Sequence, residues 1–217
     1  LLTNAPRPNH AVKSFLEKLG MEKEIRKHVF TSGEAALVYL KKNLLNKTFF
    51  HIGPPRDFDL FKDFKKNKVL KIKKSDFILC TGLFDDIENL EFYKNLFLNN
   101  TKKIFVCTNP DLIVYRGNKK ELCAGSVAKI FEKMGGKVKY FGKPHSLVYE
   151  SAINIKKKKI ICIGDNLNTD IKGANNLGFS SLLITNGIHK NEENNNLEKL
   201  FLKYNVNVDF TLTNLKW

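Results

Sequence analysis

The run Ile160-Ile161-Cys162-Ile163 stops at Gly164-Asp165, and a second carboxylate, Asp170, enters the helical pattern that follows. Four apolar, mostly β-branched residues preceded by Lys156 to Lys159 are too short for a helix and read as a buried parallel strand. Gly164 lets the chain turn sharply. In open α/β sheets ligands sit just outside the carboxyl ends of strands, so Asp165 is expected to face a crevice. Asp170 falls in the first turn of the next helix, where the macrodipole favours negative charge. Two carboxylates across a strand-to-helix turn can hold a hard cation such as Mg²⁺, one directly and one through water or a supporting hydrogen bond. A plain helix cap at Asp165 is the competing reading, and it leaves the second carboxylate without a reason. The metal reading is preferred.

Strands alternate with helices along the rest of the chain. Candidate strands are Thr48 to Ile52, Asp76 to Cys80, Lys103 to Cys107, Lys137 to Phe141, Ile160 to Ile163 and Ser181 to Thr185. Helical periodicity covers Asn9 to Leu19, Gly33 to Leu45, Ile87 to Leu98, Gly125 to Met134 and Thr169 to Leu177. In the first of these Asn9 can cap, Val12, Phe15, Leu16 and Leu19 form one apolar face, and Gly20 ends the helix. The polar stretch Lys190 to Asn196 reads as a loop. Such alternation predicts an α/β fold with a mostly parallel sheet, and 217 residues suit one domain or two small ones.

The net charge of +15 raises nucleic acid as a partner, but the excess is nearly all lysine, spread along the chain. Only Arg7, Arg26, Arg56 and Arg116 supply the forked cation that phosphate and base readout favours. A solvated basic surface is the better reading. Cys80, Cys107, Cys123 and Cys162 are far apart and sit mostly in apolar runs, which points to a reducing, cytoplasmic setting rather than a disulfide or zinc framework. No apolar stretch has the length of a membrane span. The start, Leu1-Leu2-Thr3-Asn4-Ala5-Pro6, lacks Met and enters at the end of an apparent strand, so preceding sequence is expected.

Two further places carry chemistry. Thr3 Oγ and the N–H groups after it can hold a phosphate oxygen, helped by the helix N-terminus beyond Pro8; an ordinary hydroxyl turn accounts for Thr3-Asn4 as well. Gly142-Lys143-Pro144 follows a strand, and Pro144 suits the first position of a helix, which would fix Lys143 at a crevice edge. One ammonium there can neutralise a phosphoryl group and a nearby carboxylate.

Together these residues resemble the haloacid dehalogenase superfamily of phosphotransferases. Thr3-Asn4 is similar to its second motif, Lys143-Pro144 to its third, and Gly164-Asp165 through Asp170 to its fourth. The closer resemblance is to class IIA, the nitrophenyl-phosphatase-like hydrolases, in which an α/β cap separates the second and third motifs and contains a Thr-Asn-Pro-Asp segment. Thr108-Asn109-Pro110-Asp111 has that form. Leu2 to Pro8, Thr31-Ser32-Gly33, His51-Ile52-Gly53 and Gly187-Ile188-His189 also look like blocks of this group.

The resemblance implies a Rossmann-like core formed by residues 1–30 and 141–217 with an inserted α/β cap at 31–140. It implies a Mg²⁺-dependent phosphomonoester hydrolase working through an aspartyl-phosphate. Thr3, Asn4 and Lys143 would hold the phosphoryl group, Asp165 would anchor the metal with support from Asp170, and Asn109 and Asp111 would reach substrate from the cap. A Pro-containing turn explains those last two residues equally well. The family's Asp-x-Asp nucleophile strand would precede Leu1, so the chain as given is expected to be inactive. Asp57-Phe58-Asp59 is an internal candidate, but Gly53-Pro54-Pro55 before it cannot continue a central strand. That pair, and Asp85-Asp86, read as surface carboxylates near helix starts. The expected partner is a small phosphorylated metabolite, with no membrane or nucleic acid, and a homodimer would form through the cap. The alternative is a non-catalytic phosphate- or nucleotide-binding module of the same fold.

Overall fold

The computed structural model describes residues 1–117, 119–153, 159–192 and 196–215; the side chains of residues 58–61 and 115–116 are also outside the description. The proposed partner carboxylate Asp59, most of the lysine run at 156–159 and part of the Lys190 to Asn196 loop therefore lie outside the described residues. The chain divides into two compact units, Leu1–Gly142 and Lys143–Trp217.

In the first unit β1 (Leu2–Thr3) is followed by α1 (Asn9–Lys18), α2 (Lys23–Arg26), β2 (Phe30–Thr31) and α3 (Ser32–Asn43). β1 and β2 pair in parallel, with Thr3 beside Thr31. Asn9 is not the cap of α1. Pro8 occupies that position, and Asn9 Oδ1 accepts the N–H of Thr31 at 2.9 Å. The apolar residues expected to share one face are only partly covered: Val12 and Leu16 are half-buried, Phe15 and Leu19 are exposed, and no residue of α1 is fully buried. α3 opens with a true hydroxyl cap, Thr31 Oγ1 accepting from the N–H of Glu34 at 2.9 Å.

The unit continues with β3 (Phe49–Ile52), β4 (Phe77–Cys80), α4 (Leu90–Phe97), β5 (Ile104–Cys107), the hairpin β6 (Ile113–Arg116) and β7 (Lys119–Leu122), α5 (Ala124–Lys133) and β8 (Val138–Tyr140). β3, β4, β5 and β8 form a parallel sheet in that order. All four residues of β4 are buried, as a strand covered on both faces requires, and their sequence Phe-Ile-Leu-Cys accordingly shows no alternation. Phe97, Phe105 and Phe131 meet at ring-centroid distances of 4.8 to 5.8 Å and join α4 and α5 to the sheet. The β3-to-β4 connection contains 3₁₀ helix at Pro55–Asn67, and the Asp85-Asp86 pair sits in a turn ahead of α4, whose cap is Asn89. Neither the hairpin nor this 3₁₀ segment was legible as such.

The second unit holds α6 (Ser146–Ala152), β9 (Ile161–Gly164), a wide turn of helix at Leu167–Ile171, α7 (Lys172–Leu177), β10 (Ser180–Ile184), α8 (Leu197–Tyr204) and β11 (Phe210–Leu212). Its three strands are parallel in the order β11, β10, β9. Leu167, Ile171, Leu183, Leu200 and Val206 are buried together on one side of this sheet. β9 is not the buried strand expected. It is an edge strand among the described residues, and Ile161 and Ile163, which share a face, remain 47% and 44% exposed because the unit's own helices pack on the opposite face. Among the described residues no helix is long and apolar enough to cross a membrane. Both units are mixed α/β with parallel sheets, as the alternation predicted.

Candidate active site

In the first unit the carboxyl ends of the four-stranded sheet and the segment after β1 border an open cleft of about 640 Å³. Thr3, Asn4, Arg7, Asp57, Thr81, Asn109 and Asp111 line it, with the β6–β7 hairpin on one side. Thr3 Oγ1 accepts the N–H of Ala5 at 3.3 Å, the local hydroxyl turn that the sequence allowed. Asn4 is buried, and its Nδ2 donates to Asp111 Oδ1 at 2.8 Å across 107 residues of sequence. Asn109 Oδ1 accepts the Asp111 N–H at 3.0 Å. The Thr-Asn-Pro-Asp segment is thus a turn held by its own asparagine and at the same time a wall of the cleft. Two close approaches fix it: a Cβ on Gly125 would lie 2.2 Å from Pro110 O, and one on Gly142, where φ is +130°, would lie 2.7 Å from Asn4 Oδ1.

Asp57 departs from the sequence reading. It is not a surface carboxylate but is 3% exposed at the start of the 3₁₀ segment, because Gly53-Pro54-Pro55 turns the chain back over the strand ends. Arg7 Nε lies 3.7 Å from its Oδ1. Burial pushes the Asp57 carboxyl up, against the opposing pull of a hydrogen bond from Thr81 and of Arg7. Thr81 Oγ1 in turn lies 2.9 Å from His51 Nε2, and burial, aided by Lys68, lowers the His51 imidazole to about 3, so it is neutral near pH 7. Gly53, at φ +151°, is the only residue type that fits beside this chain, since a Cβ there would lie 2.0 Å from Thr81 Oγ1. The signal for this network was the block His51-Ile52-Gly53, but sequence alone did not connect it to Asp57 or Arg7.

In the second unit the expected residues do come together. Lys143 Nζ lies 2.5 Å from Asp170 Oδ1, with side chains only 16% and 11% exposed. The other oxygen, Oδ2, accepts the Asn166 N–H at 3.2 Å. Gly164 matters for close approach rather than for a sharp turn: a Cβ there would lie 2.2 Å from Asp170 Cγ. The helix cap is Asn166, whose Oδ1 accepts the Asn168 N–H at 2.9 Å, so Asp165 is not the cap. Asp165 is exposed one residue past β9. Its Oδ2 accepts the Ile188 N–H at 3.1 Å, and Oδ1 has no hydrogen-bond partner among the described residues. Gly187 lets that backbone come close, since a Cβ on it would lie 2.2 Å from Asp165 Cβ. His189 fastens the same loop. Its Nε2 accepts the Leu167 N–H at 3.2 Å, which leaves Nδ1 to donate to Glu192 Oε1 at 2.9 Å. Pro144 is not the first helical residue: the Lys143-Pro144 peptide is cis and α6 begins at Ser146. Among the described residues no group of three or more His, Cys, Asp or Glu is gathered as a metal cluster. The outward carboxylate oxygen of Asp165 is a hard donor of the kind Mg²⁺ takes, whereas both oxygens of Asp170 are engaged.

Residues 140–216 match a protein family described as HAD-hydrolase-like. A haloacid dehalogenase-like hydrolase from Brucella suis has a structure that superposes with a TM-score of 0.80 at 29% identity, covering 100% of this chain and 82% of that one. A dihydroxyacetone phosphatase from Corynebacterium glutamicum is 32% identical over 103 residues, 46% of this chain and 37% of the relative. A 4-nitrophenylphosphatase from Schizosaccharomyces pombe is 32% identical over 102 residues, 45% of this chain and 34% of the relative. The chain thus spans about a third of the length of these two curated relatives. The nitrophenylphosphatase-like class IIA fits these matches, and the chain is similar to the haloacid dehalogenase-like hydrolases in its C-terminal residues and in the fold of its full length.

Proposed function

We propose that this chain carries the phosphate- and metal-holding residues of a Mg²⁺-dependent phosphomonoester hydrolase acting on small phosphorylated metabolites. The observation that carries the proposal is the tightly held Lys143–Asp170 pair, Asp170 lying five residues after Asp165, a carboxylate with one oxygen turned outward at a strand end. The phosphatase names of its relatives support the reaction class.

In this reading Lys143 offers its ammonium to a phosphoryl oxygen, and Asp170 holds that ammonium in place. Thr3 and Asn4 offer a hydroxyl and an amide to a phosphoryl oxygen. Asp165 would hold Mg²⁺ with its outward oxygen, while Oδ2 accepts the Ile188 N–H and orients the carboxylate. When bound, the ion supplies neutralising charge to the phosphate. Asn109 and Asp111 contribute to the substrate side of the cleft, and residues 31–140 act as the cap. With Asp165 assigned to Mg²⁺ and Asp57 buried at the start of a 3₁₀ segment, no carboxylate among the described residues is left at a strand end to attack phosphorus, so we expect binding without turnover until an Asp-x-Asp strand is supplied in front of Leu1.

The test has two parts. Calorimetry should show that inorganic phosphate binds the chain in the presence of Mg²⁺, and Lys143→Ala should weaken it at least tenfold. The chain extended by an Asp-x-Asp strand should hydrolyse nitrophenyl phosphate. Phosphate binding without hydrolysis by the extended protein would favour the non-catalytic binding module, and no phosphate binding at all would refute both.

A further inference from the structure

The cleft of the first unit has a distinctive charge arrangement. Arg56 is paired with Asp85, Lys119 lies 3.9 and 3.8 Å from Glu88 and Glu121, and Asp111 takes the Asn4 amide. Arg7 differs. It approaches Asp57 only through Nε, at 3.7 Å, so its two terminal nitrogens have no hydrogen-bond partner among the described residues, and the side chain is 41% exposed.

Arg7 is also held unusually firmly for a loop residue. Its carbonyl accepts from Thr31 Oγ1 at 2.7 Å, the preceding Ala5 carbonyl accepts from Ser32 Oγ at 2.8 Å, and Gly33 packs on this segment, where a Cβ would lie 2.4 Å from Pro6 O. The guanidinium is steered from behind by a buried carboxylate that Thr81 and His51 hold in turn. Such a fork, planar, oriented and open at its outer edge, matches the two oxygens of a carboxylate.

We infer that Arg7 is a specificity-determining residue that binds a carboxylate on the leaving group of the phosphoester, with Asp57 as its positioning partner. A carboxylate is favoured over a second phosphate because it carries one negative charge against one free cationic edge, in a cleft that already contains several carboxylates. The inference rests on the phosphoester reading above.

The test uses two probes that differ only at the distal carbon: 3-phosphoglycerate, which has a carboxylate, and glycerol 3-phosphate, which has a hydroxymethyl group. Binding to the 217-residue chain with Mg²⁺ is measured by calorimetry. The expected result is a preference of about 10- to 100-fold for the carboxylate, the range of a charge-assisted pair. In Arg7→Ala the ratio should fall to within about threefold. Arg7→Lys, which keeps the countercharge beside Asp57 but not the fork, should give an intermediate ratio and guards against simple misfolding. Equal affinities in the unaltered chain, or a preference that survives in Arg7→Ala, would overturn the inference while leaving the phosphatase reading intact. Failure of both esters to bind would overturn the phosphatase reading and this inference with it.

Discussion

Replacing Asp170 by Asn tests whether the Lys143–Asp170 pair is a structural necessity as well as a functional one. The substitution is isosteric, so the packing of this side chain on Gly164 is retained and only the charge is lost. The Lys143 ammonium, in a side chain 16% exposed, would then face a neutral amide. Removing one partner of a fully buried ion pair costs about 3–5 kcal/mol, and an exposed pair is worth about 0–1 kcal/mol. Slight exposure and the acceptor that Asn still provides place this case near 2 kcal/mol. For a chain of this size that is a fall in Tm of roughly 4–8 °C. Thermal unfolding followed by circular dichroism at pH 7 measures it, and Lys143→Met with the double variant completes the cycle. Because the double variant strands no charge, it should be more stable than the sum of the single losses predicts, with a coupling of about 2 kcal/mol. A coupling below about 0.5 kcal/mol would refute the reasoning, since the pair would then behave as a solvated surface contact.

Asp165→Asn should leave stability within about 0.5 kcal/mol, since the residue is exposed and the amide oxygen can still accept from Ile188, while Mg²⁺ binding seen by calorimetry disappears; unchanged Mg²⁺ affinity would remove Asp165 from the metal site. Gly53→Ala forces a side chain into a positive φ and onto Thr81 Oγ1, and should cost about 2–4 kcal/mol in urea unfolding, whereas Gly20→Ala, with φ +82° and open space around it, should cost only about 1 kcal/mol; equal losses would argue against the close approach. His51 has a folded pKa near 3 against 6.5 unfolded, so its contribution is fully present above pH 6.5 and is lost as pH falls toward 3. Between pH 7 and pH 4 this amounts to about 3 kcal/mol. The urea midpoint of His51→Gln should therefore fall less on acidification than that of the unaltered protein, and parallel pH profiles would show that His51 is not the group responsible.

The strands were legible because parallel strands write long apolar runs: Phe77–Cys80 and Ile104–Cys107 fall within a residue of their expected limits. The hairpin at Ile113–Arg116 and Lys119–Leu122 was missed because its second strand is half lysine and only partly covered, so it leaves no apolar signature. At the site, Asp165 and Asp170 could be read together since they share one turn. The bonds from Lys143 to Asp170 and from Asn4 to Asp111 span 27 and 107 residues, and no local pattern encodes such meetings. Asp57 was misplaced for a related reason. Polarity and nearby prolines suggest a surface, and only the fold shows that the chain doubles back over the strand ends to bury it.

The uncovered side of the three-stranded sheet bears on how this chain behaves in a tube. Ile161 and Ile163 on β9 share a face with Phe210 and Leu212 of β11, all of them substantially exposed, and among the described residues β9 has a free edge. An apolar strand with open backbone donors and acceptors is a template for a neighbouring molecule's strand. Lys159, the described and exposed lysine just before β9, adds a like charge near that edge, so two such edges repel as they approach. Association through this edge should consequently increase as salt screens that charge or acetylation removes it.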